Sequence, residues 1–216
     1  MTRLITRPTR FGSIEARTPL VFAGQRIGVM GGTFNPPHDG HALVARTALK
    51  RLRLDQVWWL VTPGNPLKGN GQLPPLAARI EQTRKVAGDP HMRVTGFEAE
   101  LGSAFTVDTL AFLKRRYPGV RFVWLMGADG LASFHRWRNW KEIAASIPIA
   151  VIDRPGFRLG AMASPAARSL RRFFLPEAQA ALLARGRGPR WTFLSTKLSS
   201  LSSTELRAKS RSNPEK

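Results

Sequence analysis

The chain has 216 residues, 43% of them hydrophobic, which is enough to bury the core of one large domain or two small ones. No stretch approaches the ~18 consecutive apolar residues of a membrane span, so we expect no membrane partner. The absence of cysteine excludes disulfides and thiolate catalysis, and it is compatible with the cytoplasmic location that we expect. The 34 Lys and Arg against 14 Asp and Glu give a formal charge of +20, which favours anionic partners. This charge forms no dense basic block, so we expect no dedicated nucleic-acid site.

The chain divides into three parts. Residues 1–25 are basic and lack the apolar region of a secretory signal, so they are expected to form a flexible extension. Residues 26–208 carry the alternating pattern of a folded domain, and residues 209–216 are expected to be a disordered tail. Within the domain, buried strands are predicted at 25–30, 57–62, 92–97, 121–126, 147–152 and 191–194. Helices are predicted at 42–50, 76–88, 106–116, 137–146 and 176–185, with a short final helix at 202–209.

This alternation indicates a parallel sheet, because strands separated by helices form right-handed βαβ units. We therefore predict a single α/β domain, a Rossmann-like doubly wound parallel sheet with a short C-terminal helical element. Ligands of such sheets bind at the carboxyl ends of the strands. The segment 31–41, the Pro/Gly-rich loop 63–75 and the turn 127–129 all fall at such ends. Residues 157–175 show no clear pattern.

The segment 31–41, GGTFNPPHDGH, joins the first predicted strand to the first predicted helix. Its two glycines allow close approach of the backbone to a ligand, and the helix N-terminus favours negative charge. His38 and His41 are three residues apart and therefore lie on one helix face, where both can point at the same phosphate. Two other interpretations remain at this point: packing by one of the histidines, or half of a zinc site completed by carboxylates.

Four stretches together resemble a known family. GGTFNPPHDGH resembles the H-x-G-H signature of the nucleotidyltransferase superfamily, and SSTELR at 202–207 looks like its I-S-S-T-x-[IL]-R motif. The pattern G-A-D-x-L-x-x-F-x-x-W-x-x-W from residue 127, and PGNPLK at 63–68, resemble the nicotinate branch. The chain is thus similar to the bacterial nicotinate-nucleotide adenylyltransferases over roughly residues 26–208. It departs from their pattern in its N-terminal extension, at Asn35 for Asp and at Leu201 for Ile.

The resemblance implies transfer of AMP from ATP to nicotinate mononucleotide. On the ATP side, it implies that His38, His41, Lys68 and Arg207 are catalytic, with His41 nearest the α-phosphate. The residues expected to bind ATP are Gly31, Gly32, Thr33, Phe34, His38, His41, Ser203, Thr204 and Arg207. Mg²⁺ is expected on the ATP phosphates, held through water and substrate oxygens, and no protein metal site is expected.

On the acceptor side, the resemblance implies that the pyridine ring stacks on Trp137. The backbone N–H groups of Thr106 and Val107 are expected to meet its carboxylate, and Asp129 a ribose hydroxyl. Because Trp137 and Trp140 are three apart on a predicted helix, at least one of them is expected in the core, Trp140 being favoured.

Two alternatives stay open. The acceptor could be nicotinamide mononucleotide or phosphopantetheine, and these residues do not decide between an acid and an amide on the pyridine ring. The charge of +20 also allows a protein of another class, one that binds nucleic acid.

Overall fold

A computed structural model describes residues 16–64, 73–103 and 105–196. In these residues, six strands form the centre of the fold: β1 (Arg26–Gly32), β2 (Gln56–Val61), β3 (Met92–Thr95), β4 (Arg121–Gly127), β5 (Ile149–Ile152) and β6 (Trp191–Leu194). The same part of the chain forms seven α-helices around them: α1 (Asp39–Arg51), α2 (Leu76–Ala87), α3 (Thr106–Arg116), α4 (Ala128–Ser133), α5 (Trp140–Ser146), α6 (Arg158–Met162) and α7 (Pro165–Ser169). No helix of this described part is long and apolar enough to cross a membrane.

All described strands are parallel and form one sheet in the order β3-β2-β1-β4-β5-β6. This is the strand order of a doubly wound Rossmann fold: successive strands are added on one side of β1 up to β3 and on its other side from β4 onward, so the topological switch point lies between β1 and β4. The predicted fold class is therefore confirmed. Each predicted strand is present, with ends within two residues of the predicted ones, because continuous apolar runs identify strands that are buried on both faces.

Adjacent residues of a strand face opposite sides of the sheet, and each side has its own core. Trp58 packs on one side with Tyr117 and Phe122, while Trp59 packs on the other side with Phe34. Both indoles are fully buried. The sheet is thus held from two sides, and the segments at the carboxyl ends of its strands rest on a rigid base.

The packed structure begins before the predicted boundary at residue 26. The side chain of Val21 is buried in the core, and the Tyr117 hydroxyl donates a hydrogen bond to Oγ1 of buried Thr18 at 2.5 Å. Thr95 Oγ1 also donates to the Arg17 carbonyl at 2.7 Å. Residues 16–25 are therefore tied to the sheet, because a few apolar and hydroxyl side chains among the basic ones have partners that the sequence pattern does not reveal.

The helix predicted at 137–146 is wrong over its first three residues. Asn139 has a left-handed backbone, with φ of 53°, so α5 begins only at Trp140. The sequence 128–136, which was not assigned to a helix, forms α4 and a 3₁₀ turn instead. Trp137 and Trp140 are consequently not on one helix. Both are half-buried at the edge of the core, so the prediction of Trp140 as a core residue holds only in part.

The basic segment 157–175 forms two short helices, α6 and α7, followed by a 3₁₀ turn. Each helix has only five residues, too few for a helical pattern of apolar residues to show in the sequence. The predicted helix at 176–185 is present as a 3₁₀ helix, Glu177–Arg185. The predicted short helix at 202–209 lies outside the described residues.

Candidate active site

Two histidines cap the N-terminus of α1, at the carboxyl end of β1. His38 is the N-cap residue, and its Nδ1 accepts a hydrogen bond from the backbone N–H of Gly40 at 3.1 Å. The Nδ1 of His41 accepts from the backbone N–H of His38 at 3.3 Å. The two imidazole rings are 3.8 Å apart between centroids. The histidines thus form a reciprocal capping box, and they lie together as their spacing predicts.

These hydrogen bonds also determine which ring nitrogen carries the proton. A nitrogen that accepts a hydrogen bond has no proton of its own, so the neutral rings of His38 and His41 carry theirs on Nε2. Each ring is therefore an N–H donor, held at the positive end of the α1 dipole. Such a pair suits an anionic ligand better than a metal, since a metal needs an unprotonated nitrogen. No group of three or more His, Asp and Glu among the described residues is placed to hold a metal ion.

Phe34 gives the turn its shape. Its backbone has φ of 44°, an uncommon conformation for a non-glycine residue, and its ring is buried. The ring packs edge-on against His41, with 5.0 Å between centroids, and at a tilt against Trp59, at 5.4 Å. A Cβ atom on Gly32 would lie 3.2 Å from the Phe34 ring. The aromatic contacts thus hold the turn in place, and a larger residue at Gly32 would have to displace the Phe34 ring by a few tenths of an ångström.

Trp124 connects this turn to the predicted acceptor site. A Cβ atom on Gly31 would lie 3.0 Å from Cη2 of Trp124, so the turn lies directly on the indole. Trp137 packs edge-on against Trp124, with 6.2 Å between ring centroids, and also against Phe134, at 5.4 Å. The structure therefore brings Trp137 and the segment 31–41, which is expected to bind phosphate, to the same edge of the sheet.

The N-terminus of α3 lies beside the same aromatic residues. Thr106 and Val107 are the first two residues of α3, whose N–H groups have no carbonyl partner within the helix. The guanidinium of Arg138, the residue after Trp137, lies 4.5 Å from the ring centroid of Phe105, the N-cap of α3. Two backbone donors and an indole thus come from adjacent segments, the arrangement that the predicted acceptor site needs.

Asp129 is at the start of α4, immediately after β4. Its Oδ2 is 3.1 Å from Nη1 of Arg154, which follows β5. A Cβ atom on Gly127 would lie 2.5 Å from Oδ1 of Asp129, so this glycine lets the carboxylate fold back over the end of the strand. Asp129 is half-exposed, and the ion pair fixes its orientation at the edge where the sequence predicts a ribose contact.

Arg79, on α2, is a residue of this site that the sequence analysis missed. Its Nη1 donates to the carbonyls of Thr33 at 2.9 Å and Thr62 at 2.8 Å, and its Nε donates to the carbonyl of Pro74 at 3.0 Å. The residue is only 2% exposed, and this burial lowers the pKa of the guanidinium below its ordinary value. The available signal was its position: Arg79 is four residues before buried Thr83, on the apolar face of α2.

Glu98 is a second buried charged residue, in the 3₁₀ segment Phe97–Leu101 that follows β3. Burial raises the pKa of its carboxyl to about 7, although a hydrogen bond from Thr109 Oγ1 at 2.6 Å opposes the rise. Thr109 is on α3, so this pair joins the end of β3 to the helix that carries Thr106 and Val107.

Two tryptophans are also residues of this site that the sequence analysis missed. The sequence predicts Trp59 and Trp124 only as strand residues, and the structure places both next to the segment 31–41.

Four predicted site residues lie outside the described residues: Lys68, Ser203, Thr204 and Arg207. Their roles on the ATP phosphates stay predictions. Of the other predicted residues, Gly31 and Gly32 end β1, Thr33 and Phe34 follow it, and His38 and His41 cap and begin α1. Thr106, Val107, Asp129 and Trp137 lie around the predicted acceptor half. Ten of the predicted residues are thus gathered at the carboxyl edge of the sheet.

Comparison with known proteins shows the family to which the chain belongs. The sequence model of the Cytidylyltransferase-like family matches residues 29–209. A probable nicotinate-nucleotide adenylyltransferase of Cereibacter sphaeroides is 55% identical over 185 residues, covering 86% of this chain and 97% of the relative. A protein of the same name from Rhizobium johnstonii is 53% identical over 184 residues, covering 85% of this chain and 92% of that one.

A solved structure with the same fold is that of Plasmodium falciparum nicotinic acid mononucleotide adenylyltransferase complexed with NaAD. Its TM-score is 0.64 at 17% identity, with 85% of this chain and 83% of that chain covered. The same Plasmodium falciparum protein complexed with APC gives a TM-score of 0.60 at 16% identity, with the same shares covered. At this level of identity, the likeness supports the fold.

The doubly wound fold, the paired histidines at the strand–helix turn and the family match together define a nucleotidyltransferase of the Cytidylyltransferase-like family. Within that family, at 53–55% identity over most of its length, the chain belongs to the nicotinate-nucleotide adenylyltransferases.

Proposed function

We propose that this chain transfers AMP from ATP to nicotinate mononucleotide, giving deamido-NAD and pyrophosphate in NAD biosynthesis. The observation that carries the proposal is that Trp124 contacts both Gly31 and Trp137. Trp124 thereby joins the segment 31–41, which is expected to bind phosphate, to the aromatic residues of the expected acceptor site. An adenylyl transfer needs two nucleotides side by side with their phosphates in reach of each other. The contact between these two halves supports such an arrangement.

The reaction is a displacement at the α-phosphorus of ATP. A phosphate oxygen of nicotinate mononucleotide forms the new P–O bond, and the bond to the β-phosphate breaks with release of pyrophosphate. Negative charge grows on the α-phosphate and on the leaving group, so the protein acts mainly by positioning and by electrostatic stabilisation. No nucleophilic side chain is required, since the acceptor brings its own nucleophile.

On the ATP side, the Nε2–H groups of His38 and His41 donate to phosphate oxygens, with His41 nearest the α-phosphate. The backbone of residues 31–34 supplies further contacts at the N-terminus of α1. Arg207, Ser203 and Thr204 hold the β- and γ-phosphates, and Lys68 adds a charge from the loop 63–75. ATP enters as its Mg²⁺ complex, in which the ion is part of the substrate and is held by phosphate and water oxygens.

On the acceptor side, the pyridinium ring stacks on the indole of Trp137. Its carboxylate meets the N–H groups of Thr106 and Val107 at the N-terminus of α3, where the helix dipole favours negative charge. Asp129 accepts a hydrogen bond from a ribose hydroxyl. The cytoplasmic location stays a prediction of the sequence.

The test is release of pyrophosphate from ATP with a panel of acceptors: nicotinate mononucleotide, nicotinamide mononucleotide and phosphopantetheine. We expect the highest kcat/KM with nicotinate mononucleotide, because two backbone donors at a helix N-terminus favour a carboxylate over an amide. Higher kcat/KM with another acceptor would contradict the substrate assignment, and no release with any of them would contradict the activity. Salt-dependent oligonucleotide binding without release would instead favour a nucleic-acid-binding protein.

Replacement of Trp137 tests the acceptor site separately. We expect Trp137→Ala to raise the KM for nicotinate mononucleotide about tenfold, the range of a partly desolvated cation–π contact, and to leave the KM for ATP within twofold. Trp140→Ala is the matched control, because Trp140 is also half-buried against Phe134, at 5.8 Å between ring centroids, but lacks the contact with Trp124. Steady-state kinetics with each substrate varied would give both constants. Equal changes in the two variants would remove Trp137 from the acceptor site.

A further inference from the structure

Arg79 joins three segments that are far apart in sequence. Its two donor nitrogens bond to carbonyls of the turn after β1 (Thr33), of the residue after β2 (Thr62) and of the segment that leads into α2 (Pro74). These three segments border the carboxyl edge of the sheet, and Pro74 lies at the end of the loop 63–75. A planar guanidinium presents its N–H groups in a fixed fork, so the three carbonyls are held in one mutual arrangement.

The bond to Thr33 also orients the next peptide N–H. In a trans peptide, the carbonyl and the following N–H point in opposite directions. Because the Thr33 carbonyl points at Arg79, the N–H of Phe34 points away from it. Phe34 is the residue with φ of 44°, a conformation that the surroundings must maintain. Arg79 therefore fixes the direction of this amide, while the contacts of the Phe34 ring with His41 and Trp59 hold the rest of the residue.

The charge of Arg79 has no anionic partner in the described part of the chain. The ion pairs there involve other arginines, and no carboxylate of this part lies within 4.0 Å of the Arg79 guanidinium. Its hydrogen-bond partners are all neutral carbonyls. A buried guanidinium of this kind places a positive charge beside the Thr33 carbonyl, in the segment to which the proposed function assigns the ATP phosphates.

We propose that Arg79 is a positioning residue of the transfer reaction. It holds the Thr33 end of the segment 31–41 against the Thr62 carbonyl after β2 and the Pro74 carbonyl before α2, so that the backbone of this segment keeps a single position relative to β2 and α2. Its activity readout rests on the proposed adenylyl transfer. A nucleotide-binding readout, which does not depend on the acceptor, tests it independently of that function.

The experiment compares Arg79→Met and Arg79→Lys with two control variants of the same helix. Ile80→Ala leaves a cavity in the buried face of α2 and so lowers stability without altering the three carbonyl contacts. Arg84→Met removes an arginine that pairs with Glu81 on the surface, at 3.8 Å. For each variant, the melting temperature is measured first. The values of kcat, both KM values and the Kd for a non-hydrolysable ATP analogue are then measured at a temperature well below it.

We expect kcat to fall at least tenfold in both Arg79 variants. We expect a smaller rise in either KM and a severalfold higher Kd for the ATP analogue. Lysine keeps the charge but not the fork, so Arg79→Lys should not restore kcat. Both controls should keep kcat and Kd within twofold of the unsubstituted chain, even where Ile80→Ala melts as early as Arg79→Met. If the Arg79 variants match Ile80→Ala in kcat and Kd, Arg79 is a structural residue only and the proposal fails. If the unsubstituted chain shows no transfer, the analogue Kd alone decides the role of Arg79.

Discussion

Replacing His41 by alanine is expected to lower kcat by about 10²–10³, the loss typical for removal of one donor that stabilises charge in the transition state. His41 presents an Nε2–H because its Nδ1 accepts the backbone N–H of His38. Position 41 is inside α1, where alanine is well tolerated. The cost in stability should thus be about 1 kcal/mol, from the lost capping bond. Pyrophosphate release and thermal unfolding of the same preparation would separate the two effects.

Two further variants sharpen this result. His91→Ala removes an exposed histidine whose Nδ1 contacts the carbonyl of Asp55, and it should leave kcat unchanged. His41→Asn keeps both an acceptor and an N–H donor on one side chain, and it should recover part of the lost rate. A His41→Ala enzyme that keeps its rate within tenfold would show that His41 only caps the helix.

The strands and the segment 31–41 could be predicted because their sequence signals are local. A buried parallel strand appears as a continuous apolar run, such as β2, and Gly31 and Gly32 mark the point where the backbone must pass close to other groups. The histidine pair was predicted from its spacing alone, since residues three apart on a helix share a face. For these features, neighbours in sequence carry most of the physical constraint.

The missed features depend on contacts between distant segments. The end of α5 was predicted but not its start, because the left-handed backbone of Asn139 follows from packing rather than from a glycine or proline. Arg79 looks like a surface charge until its three carbonyl partners, up to 46 residues away, are known. Trp124 looks like an ordinary strand residue until it is found between Gly31 and Trp137. A single sequence contains no direct record of such pairs.

Glu98 is expected to make the stability of the folded chain fall as the pH rises from about 4.5 to about 7. Burial raises the pKa of its carboxyl from the ordinary value of 4.5 to about 7 in the folded chain. Between these values, the folded chain binds the proton more tightly than the unfolded chain does, so the free energy of unfolding decreases with pH. The difference between the two pKa values corresponds to about 3 kcal/mol, fully present below pH 4.5 and lost above pH 7.

Glu98→Gln should remove this dependence, because an amide cannot ionise and its carbonyl can still accept the hydrogen bond that Thr109 now donates to Oε1 at 2.6 Å. We therefore expect the variant to unfold much like the unsubstituted chain at pH 4.5 and to be more stable at pH 8. Glu100→Gln, an exposed position two residues further on, should give a curve parallel to that of the unsubstituted chain. Denaturant unfolding at a series of pH values would measure these differences.

A constant difference in the free energy of unfolding between Glu98→Gln and the unsubstituted chain from pH 4.5 to 8 would mean that Glu98 ionises freely inside the fold. In that case, the contact between the end of β3 and α3 would admit water, and the N-terminus of α3 would not be the dry, fixed site that the proposed carboxylate contact requires.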